Sequence, residues 1–128
     1  MAITSAICSS FKQELLQGKH NFASSSGDSF KIALFDSSAT LGASTTDYST
    51  SEEITNTSGT AYTAGGKALT NTGVGLTSTT AFTDFSDVSW TTASFTANGA
   101  LIYNTTTGTS TSTTDAVCAI AFGSDKTA

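Results

Sequence analysis

Residues 90–104, WTTASFTANGALIYN, carry the clearest β pattern in the sequence. Asn98-Gly99 is the dipeptide that a two-residue type I′ turn favours, because both turn positions need positive φ. Short β-prone runs flank it, so we expect a hairpin in which Phe95 lies opposite Ile102. These two side chains would face a core, whereas Tyr103 would lie on the outer face, where it suits water or a partner.

Length and composition fit one mostly β domain. The chain has 128 residues, abundant Ser and Thr, eight Phe, three Tyr and one Trp. Thr and aromatic residues favour strands, and Ser, Asn and Gly favour turns. Disordered chains usually combine high charge with few aromatic residues, which is a different composition. We therefore expect residues 1–128 to form a single β-rich domain.

Charge excludes several classes of partner. The chain has five Lys, no Arg and ten carboxylates, for a formal net charge of −5. Nucleic-acid binding needs Lys and Arg to displace phosphate counterions, and binding to an anionic membrane needs basic residues as well. No apolar run is long enough to span a membrane, and the N-terminus lacks the pattern of a signal peptide. We expect no nucleic-acid or membrane partner and synthesis in a cytoplasm.

One helical segment is predicted, at residues 3–17. Ile3, Ile7, Phe11 and Leu15 recur every fourth position and form an apolar stripe. A helix of this length is marginal alone, so the stripe must dock on another surface. Two alternatives remain: the helix covers the β domain, which we favour, or it is an arm that reaches a neighbouring subunit.

Several further stretches read as strands and turns. Residues 30–35, FKIALF, form a strand that is apolar on both faces. Residues 61–70, AYTAGGKALT, predict a second hairpin about Gly65-Gly66. Residues 81–90, AFTDFSDVSW, are expected to join the two hairpins and to bury Phe82, Phe85, Val88 and Trp90.

The last predicted strand raises a question of coverage. Residues 116–122, AVCAIAF, are apolar on both faces and are followed by a predicted turn at 123–126. Such a strand needs neighbours on both edges. The helix covers its free edge, or another chain does, or the sequence is truncated before a final strand. Residues 36–60 and 105–114 are predicted loops, and the second is expected to be exposed and poorly ordered.

The predicted fold is a single β-sandwich or flattened barrel of antiparallel hairpins with one N-terminal α-helix. Its expected core is apolar and comprises Phe30, Ile32, Leu34, Trp90, Phe95, Ile102, Cys118 and Ile120.

The sequence offers no persuasive catalytic, cofactor or metal site. His20 follows the predicted helix, where a solvent-facing side chain is the favoured interpretation. Cys8 and Cys118 lie among apolar residues and are expected to be buried free thiols. Glu52 and Glu53 lie in a predicted loop, which favours solvated side chains. We expect a protein that is not an enzyme and that needs no cofactor.

Taken in order, six stretches resemble a family of small tailed-phage virion structural proteins found in marine and cyanobacterial phages. These stretches are MAITSAICSSFKQELLQGKHNF at 1–22, FKIALF at 30–35, SSATLGASTTDYS at 37–49, YTAGGKAL at 62–69, AFTDFSDVSW at 81–90 and NGALIYN at 98–104. The resemblance runs over most of the chain and brings no catalytic residues with it. Family members continue beyond Asp125-Lys126 into one further strand, a pattern from which this chain departs.

The resemblance implies a virion protein, most simply one that decorates or cements the capsid through subunit contacts. Its expected partners are the major capsid protein or tail proteins and further copies of itself, as in a trimer. The alternatives are a tail, neck or fibre component, or a carbohydrate-binding adhesin domain that uses Tyr103 and the Thr-rich loops. The candidate partner contacts are Ile3, Ile7, Phe11, Leu15 and Tyr103.

Overall fold

A computed structural model describes residues 2–54, 61–106 and 112–128. The fold is mainly β, with antiparallel sheets and one short N-terminal helix, consistent with the predicted β-sandwich class. Its elements are β1 (Ala6–Ile7), α1 (Ser9–Leu16), β2 (Phe30–Phe35), β3 (Lys67–Ala68), β4 (Asn71–Thr77), β5 (Thr80–Phe85), β6 (Thr96–Asn104) and β7 (Asp115–Thr127). Parts of the two predicted loops, residues 55–60 and 107–111, lie outside the described residues.

A five-stranded sheet in the order β1-β7-β6-β2-β3 forms the centre of the fold. Leu34 lies opposite Ala100, and Ala33 lies opposite Leu101. Successive residues of a strand point to opposite faces, so these two rows face opposite sides of the sheet. Leu34 and Ala100 belong to one hydrophobic cluster, and Ala33 and Leu101 belong to the other. The sheet is therefore covered on both faces, as predicted for residues 30–35.

Most of the predicted core lies at the margin of these clusters. Phe30 and Leu34 are buried. The remaining predicted core residues are half-buried and pack against the clusters: Ile32, Trp90, Phe95, Ile102, Cys118 and Ile120.

The predicted hairpin at Asn98-Gly99 is wrong, because the chain runs through this dipeptide within β6. This strand pairs with β2 on one side and with β7 on the other. A Cβ at Gly99 would lie 2.7 Å from the carbonyl oxygen of Ile120 and 2.7 Å from Ile3. Glycine is needed here for close packing within a sheet, not for a turn. Pairing with two distant strands thus overrides the local turn preference.

The turn at Gly65-Gly66 is confirmed, but the hairpin built on it is wrong. Gly65 and Gly66 have φ of +96° and +84°, and the Gly66 amide donates to the Thr63 carbonyl over 3.0 Å. After the turn, β3 pairs with β2, where Ala68 lies opposite Lys31. The strand β3 therefore pairs with the apolar strand β2 and not with residues 61–64. The other edge of β2 is already paired with β6.

A hairpin that the sequence did not predict is formed by β4 and β5. Thr77 lies opposite Thr80 in this two-stranded sheet, so the turn falls at Ser78-Thr79. Ser78 takes φ of +54° without being glycine or asparagine, which explains why the turn signal was missed. Residues 81–85 are a strand and not a connection. Phe82 is 49 % exposed, so its predicted burial is wrong.

The predicted helix at 3–17 is wrong over its first part, where the chain is extended. Ala6 lies opposite Ala119 of β7, and the Cys8 amide donates to the Val117 carbonyl over 3.0 Å. This pairing satisfies backbone groups at the edge of β7, which a helix could not do. The N-terminal segment therefore covers part of that edge, but as a strand.

The predicted turn at 123–126 is also wrong, because β7 continues to Thr127. Thr96 lies opposite Thr127 and Ala97 opposite Lys126, and the register shifts before Gly99. Gly123, with φ of +83°, lies in this irregular part of β7. Because β6 begins at Thr96, β7 stays paired with it beyond Phe122, where the predicted strand ended.

Candidate functional site

An apolar groove lies between α1 and the β4–β5 hairpin, and its volume is about 470 Å³. We call it the α1–hairpin groove. Side chains from the N-terminal segment and from the hairpin form its walls: Ile7, Phe11, Leu15, Val74, Phe82 and Phe85.

Large apolar side chains of this groove are exposed to solvent. The exposed fractions are 48 % for Ile7, 45 % for Leu15, 64 % for Val74 and 49 % for Phe82. Burying one such side chain contributes about 1.5–3 kcal/mol. Contiguous exposed apolar surface usually marks an interaction site. Leu16 and Leu76 are exposed as well but do not line the groove.

Three phenylalanines that line the groove, Phe11, Phe22 and Phe85, form a packed aromatic cluster with the buried Phe30. Phe22 stacks on Phe30 with ring centroids 4.5 Å apart, and its edge meets Phe11 at 5.8 Å. Phe85 packs against both Phe22 and Phe30, with centroids 6.1 and 5.6 Å away. Offset and edge-to-face pairs of this kind hold aromatic side chains in place. A partner would therefore meet a preformed surface.

Glycine allows Phe82 its position on the hairpin. Gly75 lies opposite Phe82 across the two strands, and a Cβ at Gly75 would clash with the ring. The ring thus lies directly over the backbone of β4. Residues 80–84 are all exposed, so β5 has little cover from the rest of the described chain.

The groove is almost free of charge. Asp84 is the one charged side chain among the described residues that line it, and its Oδ1 accepts a hydrogen bond from the Phe85 amide over 2.8 Å. Cys8 is a buried free thiol, as predicted, whereas Cys118 is a free thiol that is only half-buried and lines the groove. Burial, followed by the proximity of Cys8, raises the pKa of Cys118 to about 11. This thiol is therefore protonated at neutral pH and is a poor nucleophile.

The structure brings together three of the predicted contact residues. Ile7, Phe11 and Leu15 line the groove. Ile3 is half-buried instead, where it pairs with Leu41 and packs near Gly99. Sequence reasoning missed the opposite wall of the groove, because it placed Phe82 in a buried connection between two hairpins and not in an exposed strand.

The expected exposure of Tyr103 is wrong, since this side chain is only 3 % exposed. Its ring stacks on Tyr48 with centroids 4.3 Å apart, and its hydroxyl donates to the Gly65 carbonyl over 2.5 Å. Tyr103 is thus unavailable for contact with a sugar ring or another subunit.

Tyr103 belongs to a cluster in which the three tyrosines of the chain surround one buried carboxylate, Glu53. The carboxylate accepts hydrogen bonds from Tyr48, from Tyr62 and from the Gly65 amide. The prediction that Glu53 is solvated is therefore wrong, although its neighbour Glu52 is exposed. We call this arrangement the Glu53 cluster.

Burial and the charge of Glu53 raise the pKa of the tyrosines in this cluster. Burial is the main cause that raises the pKa of Tyr62 and of Tyr48, and the hydrogen bond to Glu53 adds to it. Burial, and then the charge of Glu53, raises the pKa of Tyr103 to about 12. All three phenols therefore stay protonated at neutral pH and serve as hydrogen-bond donors.

His20 is buried, so its predicted solvent-facing position is wrong. Its side chain is 0 % exposed, its ring packs on Phe11, and Nε2 lies 2.8 Å from Oε1 of Glu14. On the other side, Nδ1 lies 2.9 Å from Nδ2 of Asn104, which is fully buried. Ring and amide thus fix the loop after α1 to the end of β6.

Glu14, His20 and Asp115 have ligand atoms within 4.8 Å of one another, a grouping that could hold a metal ion. The amide of Asn104 argues for a hydrogen-bond network instead. Its Oδ1 accepts from the Thr106 amide, so its Nδ2 donates to His20. Nδ1 of His20 is then an acceptor, and Nε2 carries the proton that it donates to Glu14. A metal would require that Nε2 be unprotonated.

Comparison of the chain with protein-family models, with curated proteins and with solved structures gave no match. Among the described residues, α1 falls well short of the length and apolar character that a membrane-spanning helix needs.

Proposed function

We propose that this chain is a structural protein of a phage virion that decorates or cements the capsid through contacts between subunits. The observation that carries the proposal is the α1–hairpin groove. Its exposed apolar side chains and its packed aromatic lining suit a permanent contact with another protein surface.

The chemistry of the remaining polar groups is consistent with a non-enzymatic role. Glu53 and its tyrosines bond to one another, and His20 bonds to Glu14 and Asn104. Groups that are committed to such contacts hold the fold in place. The thiol of Cys118, in the groove, is protonated at neutral pH.

The phage assignment depends on the resemblance of the six stretches between residues 1 and 104 to tailed-phage virion proteins. The partners in this proposal are the major capsid protein or tail proteins, together with further copies of the chain. The protein is made in the host cytoplasm and is incorporated in the virion. No cofactor is part of the proposal.

Copy number tests the position within the virion. Purified particles of the phage that encodes the chain would be digested, and its peptides quantified against those of the major capsid protein. Decoration predicts a copy number comparable with that of the capsid protein. A tail, neck or fibre component predicts a small fraction of it, and absence from the particle contradicts the proposal.

Retention on the particle tests the groove itself. Leu15 lines the groove, whereas its neighbour Leu16 is 92 % exposed and does not. Leu15→Ser is expected to weaken retention on heads that lack the protein, and Leu16→Ser, the matched control, is expected to leave it unchanged. Equal retention of the two variants would contradict a role for the groove.

A further inference from the structure

The free strand edges of this protein are protected unequally. The edges of the five-stranded sheet are β1 and β3, each two residues long, and β3 contains Lys67. Short strands and lysine are ordinary devices that prevent edge-to-edge pairing. By contrast β4 and β5 are seven and six residues long, and residues 71–83 contain neither lysine nor proline. The hairpin thus presents a long strand edge that neither of these devices protects.

Register identifies the backbone groups that this edge offers. Thr77 and Thr80 flank the two-residue turn, so this pair is hydrogen-bonded and the pairs along the ladder alternate from it. Ala81 and Thr83 fall at the alternate positions, and their N–H and C=O groups point away from β4. Within the described residues β5 pairs with β4 alone. A two-stranded sheet of this kind is marginal without a further strand.

The open edge of β5 adjoins the α1–hairpin groove. Ala81, Phe82 and Thr83 all line the groove, together with Ile7 and Leu15 on the other side. A strand added beside β5 would therefore satisfy the free backbone groups and cover exposed apolar side chains at the same time.

We propose that β5 pairs with β5 of a second copy of this chain, antiparallel about a two-fold axis at Phe82. Ala81 of each copy exchanges backbone hydrogen bonds with Thr83 of the other, and the two Phe82 side chains lie side by side. The two hairpins then form one four-stranded sheet. This inference rests on the proposed function in one respect, since both assign the hairpin to contacts between subunits.

Charge and symmetry favour a second copy as the occupant. The chain has a formal net charge of −5, yet Asp84 is the one charged residue between positions 71 and 85. In the proposed register Asp84 lies opposite Thr80 of the second copy, so the two carboxylates do not meet. Like charges placed directly opposite would oppose the pairing, whereas an aromatic pair at the axis favours it. The edge is thus complementary to itself.

Disulfide trapping tests the register. At a non-hydrogen-bonded antiparallel pair the Cα atoms lie about 4.5 Å apart, a separation that a disulfide spans. Phe82→Cys is therefore expected to give a covalent dimer on mild oxidation, seen on a non-reducing gel. Val74→Cys, on the other strand and 64 % exposed, is the matched control and is expected to give far less. Equal yields from the two variants would overturn the proposal.

Sedimentation tests the edge. The whole chain is expected to sediment at twice its monomer mass of 13.0 kDa. Thr83→Pro removes the outward N–H and should give a monomer, whereas Thr83→Val keeps it and should remain a dimer. Both variants lose the bond from the Thr83 hydroxyl to the Gly73 carbonyl, so folding costs are matched. Circular dichroism would check that both variants fold. If Thr83→Pro does not fold, the comparison of disulfide yields from Phe82→Cys and Val74→Cys tests the proposal instead.

A wild-type chain that is monomeric in solution, with no trapped dimer, would overturn this inference even if the protein is found on virions. A two-fold dimer that is absent from virions would support the inference and overturn the proposed function. The two ideas therefore fail by different measurements.

Discussion

The hydroxyl of Tyr48 donates a hydrogen bond of 2.5 Å to Oε1 of Glu53, and the Gly65 amide donates to Oε2 over 2.8 Å. Tyr62 donates to the same oxygen as Gly65 and accepts from the Leu34 amide over 2.9 Å. One buried carboxylate thus joins the long loop before it, the turn after it and the central strand β2. The Glu53 cluster therefore connects three parts of the fold.

Glu53→Gln is expected to destabilise the protein. The amide replaces one carboxylate oxygen by a donor, which then faces a hydroxyl or amide that also donates. A buried donor left without its acceptor costs about 1–3 kcal/mol. Chemical denaturation followed by circular dichroism would measure the loss. Glu52→Gln is the matched control, because Glu52 is exposed and should change stability by less than about 0.5 kcal/mol.

Stability should fall at alkaline pH because the tyrosines of the Glu53 cluster ionise more readily in the unfolded chain. The pKa of Tyr103 is about 12 in the folded protein, against an ordinary value of 10. A raised folded pKa gives stability that is present below pH 10 and is lost as the pH rises towards 12.

Tyrosinate absorbance, recorded with circular dichroism, would check this pH dependence. Tyrosinate should form together with unfolding and not before it. Tyr103→Phe should make the alkaline loss of stability less steep, because one ionisable group is removed. Normal titration of all three tyrosines in a protein that stays folded would contradict the prediction.

Gly99→Ala is expected to destabilise the centre of the sheet. Its new Cβ would lie 2.7 Å from the Ile120 carbonyl oxygen and from Ile3, so β7 or the N-terminal segment must move. Overpacking of this kind typically costs about 1–3 kcal/mol. At Gly42 a new Cβ meets its nearest atoms at 3.8 Å, so Gly42→Ala is the control. Equal melting temperatures for the two variants would contradict the packing described for β6.

Patterns within short stretches predicted the strand at 30–35 and the turn at Gly65-Gly66, because alternation and positive φ are local properties. It was harder to predict which strands pair with each other. Asn98-Gly99 carries a strong turn signal, yet β2 and β7 hold it within a strand. Such pairing depends on residues many positions away, which a local pattern does not contain.

The same limit applies to the candidate site. The apolar stripe at Ile7, Phe11 and Leu15 was visible in the sequence, and it does line the groove. The opposite wall was not, because residues 81–90 were predicted to be a buried connection, whereas Phe82 lies in the exposed strand β5. Glu53 gave no sign of its burial either, since Tyr62 follows nine positions later.

The last prediction concerns Cys118, whose thiol reports on the groove. Its pKa of about 11 leaves little thiolate at neutral pH, so alkylation of a Cys8→Ser variant by iodoacetamide should be slow. As the pH rises towards this pKa, the alkylation rate should increase about tenfold for each pH unit, because thiolate is the reacting species. Mass spectrometry would follow the modification. The Cys8→Ser, Cys118→Ser, Ser94→Cys variant provides an exposed cysteine as the control, since Ser94 is exposed, and it should react much faster at neutral pH. Equal rates for the two cysteines would show that Cys118 is not shielded from solvent and that its pKa is not raised. That result would contradict its position in the groove.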